Sequence, residues 1–483
     1  MPVPPHRGSE RGRPATDLID PRPDPGPGPS PRPHDRARAV SRQPPDARRA
    51  PRPHPPDNRP PRRYPRAHED RPLLLALALL GLRRHRPYPT RCPALDACAC
   101  PAPPASSTPP PSPPQRPSSP ATPCPQIRSQ PAHNNLDIAW HRDRLFFVFR
   151  TAPTHFASPE ATLYVVSTTD HREWRYEGAF NERRDLREPR LLSVGGRLLL
   201  FYARLGQDST DFEPGGAAML AYNGPDDWSE PREADALGFP EGFIPWRFAR
   251  AGADVYLTGY TGGEDIYGAS DSDLAVYWLK SRDGLTWAPA VDGHPIVLRG
   301  GISETGFAFL PGEREVVMVA RNEAGDLDPE TGEPRFGSRI CRGPVDDPAA
   351  WRCADDPRKY DSPLVFRHGE AIWLIGRRNV TETGHYDDGG EGTLVARRLR
   401  QLVDYWVTPK RCALWSVNPS TLAVEHVLDL PSAGDTCFAS AVPLDGTQYL
   451  LYDYTSPVEE TELVWMDGQR RPTLIHRMTL ALP

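Results

Sequence analysis

Six acidic residues recur along the chain, Asp137, Glu188, Glu241, Glu304, Asp361 and Asp435, at separations of 51, 53, 63, 57 and 74 residues. Each opens the same pattern of a short apolar strand, a Gly or charged turn, and a stronger apolar strand ending in Arg or Tyr. The closing residues are Arg150, Arg204, Tyr260, Arg321, Arg377 with Arg378, and Tyr452 with Tyr454. Paired carboxylates divide the roles of general acid and base or nucleophile, and a guanidinium reads a carboxylate through two parallel hydrogen bonds. For any one of these residues the plain reading is a salt bridge within its own hairpin. For the set, convergence on one axis makes a charge-dense pocket, the kind of place where ionisation is tuned for chemistry.

The elements that would position them are hairpins. In an antiparallel pair the start of the first strand and the end of the second share an edge, so both residue sets meet on one face. The segments DIAWHRDRLFFVFR from Asp137, EPRLLSVGGRLLLFYAR from Glu188 and ETGFAFLPGEREVVMVAR from Glu304 illustrate the unit. A third strand and a polar turn follow, closed by Trp174, Trp228, Trp287 and Trp351 in the first four units. Such turns fix an outer hairpin and hold a blade together away from the site. A period of 50–75 residues with four short strands per unit predicts an all-β fold, a six-bladed β-propeller over residues 126–483. Helical patterning is confined to Thr393–Trp406, within an insertion from Asn379 to Lys410 that leaves the site face as a lid or wall. The last unit runs short of strands, which predicts that residues near Ile127 supply its outer strand and close the ring.

The first 125 residues are of another kind. They hold 36 of the 61 prolines and 21 Arg against 10 acids. Proline at that density forbids regular helices and central strands, so residues 1–72 read as a disordered Pro/Arg-rich segment. Only three lysines against 55 arginines marks a GC-rich genome, and part of 1–72 is equally well read as a start codon set too far upstream. Residues 73–100 contain LLLALALLGL at Leu73–Leu82, too short to span a bilayer but suited to a signal or anchor segment. Residues 101–125 form a Pro/Ser/Thr linker. Extracellular or periplasmic export, with surface anchoring left open, is the expectation. The remainder of the chain is net negative, which excludes nucleic acid as its main partner. Cys98-Ala-Cys100 lacks a second pair at zinc spacing, so no metal site is assigned. Cys341 and Cys353 flank a hairpin turn and can be bridged.

The apolar strands with turns such as Ser281-Arg-Asp283-Gly284-Leu-Thr286-Trp287, together with Ser303-Glu304-Thr-Gly, Asp361-Ser-Pro and Gly434-Asp435-Thr-Cys-Phe, resemble the sialidase (BNR, or Asp-box, repeat) superfamily of propellers. The resemblance covers about residues 134–483. It implies a glycoside hydrolase in which three arginines grip a substrate carboxylate, Arg150, Arg321 and Arg377 or Arg378 by position. Glu304 with Tyr454 would form the nucleophilic pair. The Phe-Arg-Ile-Pro type signature of that family is absent, since Arg150 sits in FVFRTAP. A second resemblance, to five-bladed arabinanase- and invertase-like hydrolases, implies catalytic carboxylates at Asp137, Glu188 and Glu241. The candidate catalytic residues are therefore Asp137, Glu188, Glu241, Glu304 and Tyr454, and the candidate binding residues Arg150, Arg321, Arg377, Arg378, Asp361 and Asp435. A glycan or other carbohydrate is the expected partner, with no nucleic acid, no integral membrane segment and a monomeric state. No cofactor is expected, and a calcium ion in the acid ring is left open. The alternative of another class is a non-catalytic glycan-binding or adhesion propeller.

Overall fold

The computed structural model describes residues 126–207, 212–264 and 273–483. The segment 1–72, the apolar run within 73–100 and the linker 101–125 lie outside the described residues. Among the described residues no helix is long and apolar enough to cross a membrane.

Six antiparallel sheets follow one another, each adding its strands in chain order from the inside outward. This is the six-bladed propeller that the repeat predicts. The innermost strands are Ala132–His141, Leu186–Val194, Ile244–Ala251, Ile302–Phe309, Asp361–His368 and Ser440–Pro443. Their hairpin partners are Arg144–Ala152, Arg197–Arg204, Asp254–Thr261, Glu315–Leu327, Ala371–Asn379 and Gln448–Thr455. The partner strands read as continuous apolar runs because both faces of each sheet are covered by neighbouring blades. Phe146 and Val148 of blade one pack with Leu198, Leu200 and Tyr202 of blade two. Phe201 and Leu257 join blades two and three, Trp278 and Phe307 blades three and four, and Val319 and Leu374 blades four and five. Ile375 and Leu451 join blades five and six. The ring closes where Phe147 of blade one meets Tyr452 of blade six, their ring centroids 4.9 Å apart. The core is thus a set of wedges between blades.

The outer turns lie at the end of the ring opposite the innermost-strand entries. In the Ser281–Trp287 turn, Gly284 N–H donates to Ser281 Oγ (2.9 Å), Leu285 N–H to Asp283 Oδ1 (2.8 Å), and the Trp287 indole to Gly284 O (3.2 Å). These side chains satisfy a tight turn and seat a buried tryptophan, a structural role. Among the described residues there are two disulfides. Cys341–Cys353 joins residues directly opposite each other on adjacent strands of blade four, as their spacing suggests. Cys412–Cys437 ties blade five to the segment entering blade six and was not legible in the sequence.

One expectation is corrected. Among the described residues blade six has three strands, and the stretch around Ile127 does not extend it. Arg128 N–H donates instead to Tyr164 Oη (3.2 Å) and Gln130 N–H to Thr151 Oγ1 (2.8 Å), both in blade one. These hydroxyls take up the backbone donors that a strand would have needed, and Pro131 has none to offer.

Candidate functional site

The innermost strands of blades one to five each lose register with their partners near the entry end. The shifts fall between Asn134 and Leu136, Arg187 and Arg190, Pro245 and Arg247, Ile302 and Thr305, and Asp361 and Leu364. A bulge of this kind re-aims the side chain it carries. Three of the bulged residues take left-handed backbone angles without being glycine: Asn135 (φ 56°), Glu188 (φ 51°) and Ser362 (φ 52°). Such strain is retained where surrounding structure overrides it, commonly at functional sites. Asp361 opens its innermost strand as the repeat predicts, whereas Glu188 and Glu304 lie in the bulges and Asp137 deeper in its strand.

These bulges bring carboxylates together in a nearly dry setting, with Asp137, Glu188 and Glu304 at 8%, 9% and 7% exposure. Asp137 ties three innermost strands, accepting from Leu191 N–H of blade two (2.8 Å) and Ser440 Oγ of blade six (2.6 Å). Glu188 receives only long contacts from the Asn135 amide, 3.3 and 3.4 Å. Burial, reinforced by the charge of Glu304, pushes its carboxyl up to about 7. Glu304 is raised too, chiefly by burial. It nevertheless has two strong donors, Ser362 N–H at 2.7 Å and an Arg321 guanidinium nitrogen at 2.9 Å. Ser362 N–H and Arg321 thus support the ionised form of Glu304, whereas Glu188 has only the long Asn135 amide contacts.

Arg321 also reaches Ser303 Oγ (3.1 Å), Asp361 (3.3 Å) and Glu323 (3.4 Å). Asp361 is 1% exposed. Against its burial, Lys359, Arg377 and Arg321 hold it below the ordinary carboxylate range. Its other oxygen accepts from Tyr405 Oη. Tyr405 belongs to helix Leu394–Trp406, which Thr393 caps by accepting from Ala396 N–H at 3.3 Å. The insertion thus does come back over the site end. Lys359 Nζ and Lys410 Nζ stand 3.7 and 3.8 Å from the centre of the Tyr405 ring. Arg377 donates to Thr436 O (2.6 Å), Tyr405 Oη (3.3 Å) and Tyr454 Oη (3.5 Å). Tyr454 in turn donates to Asp435 (3.1 Å), which also accepts from the Trp465 indole (3.1 Å) and pairs with His155 (2.8 Å). Asp435 is held low despite its burial, with His155 and Arg377 the charges responsible.

Of the sequence candidates, the structure brings Asp137, Glu188, Glu304, Arg321, Asp361, Arg377, Asp435 and Tyr454 to one end of the ring axis. It does not bring Glu241, which is exposed in the turn before blade three. Arg378 points outward to Asp429, with Nε 2.6 Å from Oδ1, because it alternates with Arg377 along the strand. Arg150 is fully buried, held by Asp185 (2.6 and 2.8 Å), Asn134 and Phe156 O (3.1 Å). Tyr454 hydrogen-bonds Asp435 and Arg377, whereas Glu304 is bonded by Ser362 N–H and Arg321. Asp185, Arg190, Arg247, His155, Glu323, Lys359 and Tyr405 also belong to this end, and sequence reasoning passed them over. The run Arg183-Arg-Asp-Leu-Arg-Glu188 and the rarity of lysine were the available signals.

No protein-family model matches the chain, and no curated protein matches it. Solved structures of similar fold include a protein of unknown function from Dyadobacter fermentans (TM-score 0.49, 14% identity, 73% of this chain and 95% of that one). The α-L-arabinofuranosidase arb93a of Fusarium graminearum, in complex with an iminosugar inhibitor, is similar at TM-score 0.44 and 13% identity, over 73% of this chain and 93% of that one. Trypanosoma rangeli sialidase is similar at TM-score 0.45 and 13% identity, over 73% of this chain and 55% of that one. The chain spans about half the length of that sialidase. These are likenesses of fold.

Proposed function

We propose that the chain is an exported glycoside hydrolase with Glu188 as its general acid and Glu304 as the ionised partner. The observation that carries this reading is the environment of Glu188: a left-handed bulge, burial, few donors, and a titration pushed up to about 7 beside a carboxylate anchored by Arg321. A buried carboxyl raised towards neutrality beside a carboxylate held by a guanidinium is the kind of pair that glycosidic cleavage uses. Glu188 delivers its proton to the departing oxygen, and Glu304 either attacks the anomeric carbon or activates a water. Arg321 holds Glu304 in place. The arginines proposed to grip a substrate carboxylate are committed already, Arg150 to Asp185, Arg321 to Glu304 and Asp361, and Arg377 to Thr436 O and two phenols. This supports a neutral glycoside over a sialoside. The two disulfides fit an oxidising compartment and support export. The same saturation of arginines favours a second reading, a glycan-binding propeller without turnover. A panel of fluorogenic arabinosides, xylosides and sialosides separates them: release of fluorophore from a neutral glycoside is expected, whereas glycan binding without release on any member points to the binder.

A further inference from the structure

One guanidinium nitrogen stands between two carboxylates. Arg321 Nη1 lies 2.9 Å from Glu304 Oε1 and 3.3 Å from Asp361 Oδ1. Whatever holds Asp361 therefore bears on how much of Arg321 is left to Glu304. On its Oδ1 side Asp361 also has Lys359 Nζ, at 3.4 Å. On its Oδ2 side the Tyr405 hydroxyl donates directly, while Arg377 Nη1 stands off at 3.8 Å. Of these two donors only the phenol is within hydrogen-bond reach of Oδ2.

Tyr405 itself is closed to a substrate. It is 1% exposed, and its ring packs edge-on against Trp465 and Tyr386, with 5.0 and 5.6 Å between ring centres. Its carbonyl accepts from Lys410 Nζ, which Thr408 O also holds at 2.8 Å. The phenol is thus fixed in place and can act only on its neighbours. Hydrogen bonds to an ionised group are the strong ones, and bonds that share a buried network polarise one another. A carboxylate that loses its donor at one oxygen draws harder on the donors at the other. Without the phenol, Asp361 would compete with Glu304 for Arg321 Nη1, and the ionised form of Glu304 would lose support. The other charges acting on Glu304 are Glu323 from its partner strand, Glu188 and Arg190 from blade two and Arg247 from blade three. Tyr405 enters this set through Asp361.

We propose that Tyr405, carried in by the inserted helix, is a positioning residue for Glu304: its hydroxyl occupies Asp361 and so leaves the Arg321 guanidinium to Glu304. The role of Glu304 in turnover rests on the hydrolase reading, whereas the link itself does not. The test is the carboxyl titration of Glu304 in the full chain, followed by NMR with carboxyl-labelled glutamate and assigned with Glu304→Gln, alongside the acid limb of kcat/KM. Tyr405→Phe is expected to move both upward by about one pH unit. In an Asp361→Asn background the same substitution is expected to move neither, because the link has been removed. Should Tyr405→Phe not fold, Thr393→Ala, which loosens the helix that carries the phenol, takes its place with a smaller upward shift expected. An unmoved Glu304 titration in the folded variant, or an equal shift in the Asp361→Asn background, would overturn the proposal. Absence of turnover in the wild type would sink the hydrolase reading, and the carboxyl titration would still decide the link.

Discussion

At the scale of residues, the account turns on which carboxyl keeps its proton. A general acid that titrates at about 7 must lose activity as pH rises through that value. The kcat/KM profile of the wild type is therefore expected to show a descending alkaline limb near 7. Asp453 supplies a contrasting case. Burial pushes it up to about 7 as well, yet it accepts from Phe438 N–H (2.8 Å) beside the Cys412–Cys437 bridge, away from the carboxylate pair. A carboxyl raised in the folded state contributes stability that is full below its unfolded value and is lost as pH rises through the folded one. Asp453→Asn is thus expected to unfold at higher denaturant than wild type at pH 8, by up to about 4 kcal/mol for a shift of roughly 3 units, with the advantage shrinking towards pH 4. Breaking the buried Arg150–Asp185 pair with Asp185→Ala should cost about 3–5 kcal/mol in chemical denaturation, because it strands a buried guanidinium. Residue types alone named Glu188 and Glu304, since an acid repeated once per blade is visible in one dimension. They could not name Asp185, Lys359 or Tyr405, whose partners lie at no spacing that the repeat fixes.

At the scale of elements, the bulges and the inserted helix do the positioning. A bulge is one extra residue opposite an otherwise regular partner, and in sequence Arg187-Glu-Pro-Arg190 differs little from an uninterrupted strand entry. This is why the acids read as strand openers, whereas their side chains are aimed by broken register. The helix Leu394–Trp406 was legible from its periodicity, but its use was not: only the fold shows Tyr405 reaching Asp361 between two buried lysines. Thr393→Ala should loosen that helix by about 1 kcal/mol, seen as faster amide exchange within it while global unfolding changes less.

At the scale of the whole molecule, the ring was the most legible feature, because each blade must bury both faces against its neighbours and so repeats a continuous apolar run. Its closure was not legible, since Arg128 and Gln130 satisfy their backbone donors on blade one with hydroxyls instead of a strand ladder. The Cys412–Cys437 bridge spans 25 residues across the junction of blades five and six. Replacing both cysteines with serine is expected to lower stability by about 3 kcal/mol under oxidising conditions, and added reductant should lower the wild type at least as far, since it also opens Cys341–Cys353. In the proposed hydrolase the ring serves by setting Glu188 and Glu304 from blades two and four at one end of a shared axis. The central claim is met most directly by kcat on the best neutral glycoside for wild type and for Glu188→Gln, with circular dichroism confirming that both are folded. The account predicts a fall of roughly 10²–10⁴-fold in the variant; turnover at the wild-type rate in folded Glu188→Gln would contradict it.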